Sequence, residues 1–151
     1  MRLTDHFTLE EMIASDTAAR LNIANYPQPN QIGNLLMVAH GLERVRSIVM
    51  RPIQILSGYR SKELNAAIGG ARNSQHVLGL AADIRVAGMS ARKLAEILAG
   101  NPASLGIDQL ILEHPESLAG SWVHLGFAKP PRGEVLTGSG YPTMYTKGLP
   151  A

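Results

Sequence analysis

The chain has 151 residues, of which 45% are hydrophobic and 17% are charged, a composition typical of one globular domain with its own core. Cysteine is absent, which excludes disulfides and thiolate metal sites, so a bound metal would need His, Asp or Glu ligands. The formal net charge is only +2 and the basic residues are scattered, so we expect no nucleic-acid partner.

The N-terminal segment and the hydropathy pattern lead to two expectations about location. The first residues, MRLTDHFTLEEM, are acidic and polar where a signal peptide needs an apolar stretch. We therefore expect synthesis in the cytoplasm without a signal peptide. No apolar run approaches the ~20 residues of a membrane helix, so we expect no membrane insertion.

The N-terminal third is predicted to be mostly helical. A capping-box pattern favours a short helix over residues 9–15. Residues 25–30, which are rich in Pro and Asn, are predicted to form a loop. Apolar residues recur at helical spacing over residues 31–49, which predicts a long helix with Asn30 as its N-cap.

Strands cluster later in the chain. The segments DQLILE (108–113) and WVHLGF (122–127) are predicted to pair as a hairpin. The other predicted elements are a strand at 53–56, a turn at 57–60, a helix at 62–68, a strand at 81–86 and a helix at 91–99 with Ser90 as its N-cap. Helices followed by clustered strands indicate an α+β fold, with N-terminal helices packed on a small, largely antiparallel sheet.

The C-terminal segment has a different composition from the rest of the chain. Residues 129–151 are rich in Pro and Gly. We expect them to form a tail without much regular structure, packed on a single domain that spans residues 1–151.

The run SQHVLGLAADI at residues 74–84 places two ionisable groups, His76 and Asp83, among small and apolar residues. Burying an unpaired carboxylate costs roughly several kcal/mol or more, so Asp83 needs a partner. His124 lies in the middle of the apolar segment WVHLGF. Two His and one Asp could fill three of the four positions around a zinc ion. Spacing alone leaves open the alternative that each is a hydrogen-bonded core residue.

Residues 57–84, SGYRSKELNAAIGGARNSQHVLGLAADI, together with WVH at 122–124, resemble the zinc murein peptidases of the D-Ala-D-Ala carboxypeptidase family. The pattern S-x-H-x6-D followed by W-x-H is that family's zinc signature. The family includes vancomycin-resistance D,D-dipeptidases and phage endolysin peptidases, and the opening HFTLEEMIASDTAARLNIAN and the tail KPPRGEVL resemble its phage-type branch. The resemblance implies a hedgehog/DD-peptidase-like fold.

The resemblance also implies roles for individual residues. His76, Asp83 and His124 match the three zinc ligands, which implies one Zn²⁺ per chain. Arg60 matches an arginine that stabilises the substrate carbonyl or carboxylate, a task suited to a forked and permanently charged guanidinium. Ser74 matches a serine that helps to hold substrate or a ligand, although a hydroxyl that stabilises a turn explains it equally well.

Three further residues are candidates for substrate binding. Gln75 follows Ser74 in the motif and is given the same role. Tyr59 and Trp122 could line the cleft, although core packing explains either of them equally well.

The general base is the point at which the chain departs from the family pattern. Many relatives carry an acid or a His three residues before the last ligand, where this chain has Ser121, whose hydroxyl is too weak a base at neutral pH. Glu113 is the candidate, because it ends the strand predicted to pair with the one that holds His124. A solvated glutamate at a strand end is the alternative, and His114 and Glu116 are the fallback bases.

We therefore expect a zinc metallopeptidase that hydrolyses peptide bonds in peptidoglycan stem peptides, as a D-Ala-D-Ala carboxypeptidase or an endolysin-type endopeptidase. The expected partner is the peptide, and the protein is expected to be a monomer. It would act at the cell wall or periplasm, with the help of a holin if it comes from a phage. Because of Ser121, a non-catalytic zinc domain that binds cell-wall peptide is the alternative, and a structural protein without metal is a third possibility.

Overall fold

The computed structural model describes residues 1–117 and 119–151. In chain order, its elements are α1 (Leu9–Ile13), α2 (Asp16–Leu21), α3 (Pro29–Val49), β1 (Ile53–Ser57), α4 (Lys62–Ala67), α5 (Gln75–Leu78), β2 (Ala81–Val86), α6 (Ala91–Leu98), a short 3-10 helix (Pro102–Leu105), β3 (Ile107–Glu113), β4 (Trp122–Phe127), β5 (Glu134–Ser139) and β6 (Met144–Lys147). Within these described residues, no helix is both long and apolar enough to cross a membrane.

Six strands form one sheet, in the order β1-β2-β4-β3-β5-β6. The pairing is antiparallel throughout, except that β3 and β5 run parallel. The predicted α+β fold with a largely antiparallel sheet is therefore confirmed. The predicted hairpin of β3 and β4 is also present, with Glu113 opposite Trp122.

The hydrophobic core joins the long helix α3 and the later helix α6 to the sheet. Leu35, Leu42 and Val45 of α3 are fully buried, in one cluster with Leu125 and other apolar residues of the strands. This burial explains the helical spacing of apolar residues in the sequence, because residues three and four apart share one face of a helix.

The helices differ from the prediction near the N-terminus. The predicted helix over residues 9–15 ends early, and Ser15 instead caps a second helix, α2. Helix α3 begins at Pro29 and has Gln28 rather than Asn30 as its N-cap. Proline fits the first turn of a helix because the N–H that it lacks would have no partner within the helix there. The predicted loop at residues 25–30 is correspondingly shorter.

The C-terminal segment is more regular than predicted, because it contains β5 and β6. Strand β5 pairs with the edge of β3 that β4 leaves free, and β6 pairs with β5. Pairing of this kind satisfies backbone N–H and C=O groups that would otherwise stay open at a sheet edge. The expectation of a tail without much regular structure was wrong. It was based on the local content of Pro and Gly, which gives no information about the free edge of β3.

Two glycines of α3 provide a matched test of this packing. A Cβ on Gly41 would lie 2.2 Å from the ring of Phe127, whereas a Cβ on Gly33 would meet no atom within 4 Å. We expect Gly41→Ala to lower the free energy of unfolding by about 1–3 kcal/mol through overpacking. Gly33→Ala should raise it by about 0.5–1 kcal/mol, because alanine favours a helix. Denaturant unfolding measures both, and similar changes in the two variants would contradict the packing described.

Candidate metal centre

Three buried ionisable residues come together on the sheet. Asp83 of β2 lies opposite His124 of β4 in the antiparallel register, and His76 comes from the short helix α5, which contacts β2. One nitrogen of each histidine and one oxygen of the carboxylate lie within 4.8 Å of one another. The sheet register thus pairs two of the residues, and α5 adds the third.

The hydrogen bonds of His76 determine which of its nitrogens faces the cluster. Its Nδ1 lies 2.7 Å from the carbonyl oxygen of Gly58, which can only accept, so Nδ1 carries a proton. Its Nε2 lies 3.2 Å from Oδ1 of Asp83, and Nδ1 of His124 lies 3.1 Å from the same oxygen. In a neutral His76 ring, Nε2 and Oδ1 are both acceptors. A cation is therefore needed between them, either a proton or a metal ion.

Asp83 is ionised in this environment. Burial by itself raises the pKa of this carboxyl, but the neighbouring His76 and His124 rings hold that pKa well below its ordinary value. The other carboxylate oxygen, Oδ2, accepts a hydrogen bond from Nη2 of Arg60 at 3.1 Å. The buried charge therefore has a polar partner on each oxygen.

These residues fit a zinc ion. Zinc accepts imidazole nitrogens and carboxylate oxygens, and sites with three protein ligands keep a fourth position open for water or substrate. A histidine ligand usually donates its other N–H to a carbonyl or carboxylate, which fixes the ring, as Gly58 does for His76. The donor set and its supporting hydrogen bonds thus match those of a catalytic metal site.

The cluster lines a cleft with a volume of about 940 Å³. Arg60, Ser74 and Gln75 line one part of it, and Glu113 and Trp122 of the β3–β4 hairpin line another. The cleft is large enough to accept a peptide segment, so the cluster has room for a substrate beside it.

A family model for Peptidase M15 matches residues 5–124. This segment makes up most of the chain and contains all three clustered residues. The chain belongs to the peptidase M15 family. Its members are zinc-dependent, which makes this chain a zinc metallopeptidase and not a non-catalytic zinc domain. A comparison with curated proteins found no match.

Glu113 of this M15 peptidase is buried on the wall of the cleft, with 7% of its surface exposed. It is therefore not a solvated glutamate at a strand end. Burial raises its pKa above the ordinary value, an effect that the charge of His124 opposes. Gly138 of β5 provides the space that Glu113 occupies, because a Cβ there would lie 2.6 Å from its Oε2.

The other residues considered as bases have structural partners. The Ser121 hydroxyl donates to the carbonyl oxygen of Glu113 at 2.8 Å. Glu116 accepts a hydrogen bond from the backbone N–H of Gly140 at 3.0 Å and lies 3.0 Å from Nδ1 of His114. These contacts lower the pKa of Glu116 to about 2, which makes it a weak base. His114 and Glu116 thus connect the β3–β4 loop to the turn between β5 and β6.

The structure places two of the predicted substrate-binding residues in local contacts. Arg60 donates from Nε to Oγ of Ser57 at 3.0 Å, in addition to its contact with Asp83. The Ser74 hydroxyl accepts from the backbone N–H of His76 at 3.3 Å, so it caps helix α5. Both side chains nevertheless line the cleft.

The remaining predicted substrate-binding residues are distributed differently. Trp122 is half-buried in the cleft wall, and Gln75 donates from Nε2 to Asp108 at 3.2 Å. Tyr59 is 6% exposed and belongs to the hydrophobic core. It is not one of the described residues that line the cleft. Its position one residue before Arg60 in the motif does not indicate which way the ring points.

Residues of the C-terminal segment also line the cleft, and the sequence did not identify them. They are Arg132, Leu136, Thr143 and Tyr145. Burial and the negative charge of Glu113 raise the pKa of the Tyr145 hydroxyl, which indicates that β6 lies close to Glu113. The KPPRGEVL motif, which contains Arg132 and Leu136, indicated a resemblance to the family but not a position in the cleft. The pairing of β5 with β3 brings these residues to the cleft, and local sequence patterns do not reveal pairing between distant segments.

Removing one histidine of the cluster tests its role in metal binding. We expect His76→Ala and His124→Ala each to lose most bound zinc, because two protein ligands hold zinc far more weakly than three. His40→Ala, which alters an exposed histidine of α3, is the matched control and should keep its zinc. Metal content after dialysis measures the result, and full zinc content in either cluster variant would contradict the assignment.

Proposed function

We propose that this M15 peptidase hydrolyses peptide bonds in the stem peptides of peptidoglycan. The observation that carries the proposal is the His76–Asp83–His124 cluster in a cleft that is also lined by Arg60 and the buried Glu113. The resemblance of residues 57–84 to murein peptidases supports the choice of substrate. The proposed place of action is the cell wall or periplasm, where this substrate is found.

The cluster and Arg60 would act on the scissile carbonyl. Zinc held by His76, Asp83 and His124 supplies polarisation of that carbonyl and a lowered pKa for water. Arg60 uses Nε for Ser57 and Nη2 for Asp83. Its Nη1 has no hydrogen-bond partner among the described residues, so it is the group that would donate to the carbonyl oxygen or to a terminal carboxylate of the substrate.

Glu113 would move the proton. As an ionised carboxylate, it takes a proton from the attacking water while the water oxygen bonds to the carbonyl carbon. It then gives that proton to the amide nitrogen as the C–N bond breaks, so the products are a carboxylic acid and an amine.

The position of the hydrolysed bond distinguishes two forms of the proposal. A D-Ala-D-Ala carboxypeptidase releases single D-alanine from the end of a stem peptide. An endopeptidase of the endolysin type cuts within the stem or cross-bridge and releases larger peptides. Both use the same chemistry, and the shape of the cleft walls selects the bond.

Digestion of purified murein tests the substrate class. We expect new amino groups to appear with the zinc-loaded enzyme and to be lost after treatment with a chelator, because the site cannot polarise the carbonyl without metal. Mass spectrometry of the products identifies the bond. Hydrolysis of unrelated peptides without any cleavage of murein or of peptides ending in D-Ala-D-Ala would contradict the proposal.

Glu113→Gln tests the proton transfer. We expect kcat to fall by about 100-fold or more with zinc content unchanged, because the amide has a similar shape but cannot accept the proton. Glu116→Gln, three residues further along the chain in the β3–β4 loop, is the comparison and should retain most activity, since Glu116 already has backbone and histidine partners. The opposite pattern, in which only Glu116→Gln loses turnover, would assign the base to Glu116.

A further inference from the structure

A second arginine lines the cleft, and the mechanism above does not use it. Arg132 precedes β5 and contacts the same cleft as the metal cluster. It lies outside the segment, residues 5–124, that the family model matches. Its Nε lies 3.0 Å from Oδ1 of Asp108, and its Nη2 lies 2.8 Å from Oδ2 of the same residue.

Asp108 is a buried anchor for this arginine. It is 5% exposed, and its oxygens also accept hydrogen bonds from the backbone N–H of Arg132 at 2.9 Å and from Nε2 of Gln75 at 3.2 Å. The hydrogen bonds from Arg132 keep the pKa of Asp108 below its ordinary value. A buried and ionised carboxylate with several hydrogen bonds therefore orients the plane of the guanidinium.

The fixed guanidinium keeps donors available. It has five N–H groups, of which Asp108 engages the one on Nε and one on Nη2. Within the described part of the chain, Nη1 and the second N–H of Nη2 donate to no acceptor, and the side chain is 60% exposed. Two adjacent nitrogens of an oriented guanidinium match the two oxygens of a carboxylate.

We propose that Arg132, oriented by Asp108, forms an anion-binding subsite of the cleft that binds a carboxylate of the peptide substrate. The substrate class is therefore a peptide with a free carboxylate near the scissile bond, either on a side chain or at the C-terminus. This proposal rests on the peptidase activity of the chain. It does not depend on peptidoglycan being the substrate. It is separate from Arg60, which contacts the metal cluster.

Pairs of peptides that differ only in one carboxylate test this subsite in the zinc-loaded, full-length enzyme. One pair has a glutamate or a glutamine beside the scissile bond, and a second pair has a free or an amidated C-terminus. We expect kcat/KM to be about tenfold higher for the free carboxylate in one of the pairs, mainly through KM, because a charge-assisted hydrogen-bonded pair is lost in the amide. The pair that shows the preference identifies the source of the carboxylate.

Variants then assign the preference to Arg132. Arg132→Gln should lower kcat/KM for the free carboxylate to the value for the amide and leave the amide unchanged. Asp108→Asn keeps the arginine but removes the ionised anchor, so it should reduce the preference in part. Arg20→Gln, on the exposed face of α2, is the control and should keep the wild-type ratio.

Two results would overturn the subsite. An equal loss on both members of a pair in Arg132→Gln would show that Arg132 only supports the structure. A wild-type ratio near one for both pairs would exclude the subsite even if the variants failed to fold.

The same peptide pairs embedded in murein stems and in unrelated sequences separate the two proposals. If only unrelated acidic peptides are cleaved, with the expected ratio, the subsite stands and the murein substrate does not.

Discussion

The buried charge of Asp83 is the constraint on which the rest of the site depends. A carboxylate inside a protein needs strong polar partners, because no water is available to solvate it. The partners here are His76, His124 and Arg60, which come from three separate segments of the chain. Each must be held in place, so the register of β2 with β4 and the short helix α5 serve the same centre. The arrangement that satisfies the carboxylate also gathers the donor atoms that a zinc ion needs.

The N-terminal helices contribute by holding the segment that carries Arg60. Asn25 is buried and donates from Nδ2 to the carbonyl oxygens of Ile13 and Tyr59, while its Oδ1 accepts from the backbone N–H of Ser61. Gly58, which precedes Tyr59 in the chain, accepts the hydrogen bond from Nδ1 of His76. One amide side chain thus links the helices to the loop that orients a histidine of the cluster. This connection joins the N-terminal part of the chain to the metal cluster.

The two walls of the cleft have different origins. The metal cluster and Arg60 lie within the segment that the M15 family model matches, whereas the cleft-lining residues Arg132, Leu136 and Tyr145 lie beyond it. Strand β5 reaches the cleft by pairing in parallel with β3, which places Gly138 beside Glu113. The metal cluster therefore lies in the part of the chain that the family model matches, and the C-terminal strands shape the surroundings of Glu113 and part of the cleft lining.

The sequence by itself determined the elements and residues that depend on local order. Strands β2 and β4 match their predicted bounds, because runs of apolar residues and the residues that end them can be identified from the local sequence. The spacing of His76, Asp83 and His124 matched the zinc signature of the family. Only the tertiary structure decided that Tyr59 faces the core, that the C-terminal segment forms β5 and β6, and that Arg132 reaches the cleft. These features depend on pairing between segments far apart in the chain, for which composition and periodicity carry no signal. Strand β5 pairs with the free edge of β3, and that edge exists only once the rest of the sheet has formed.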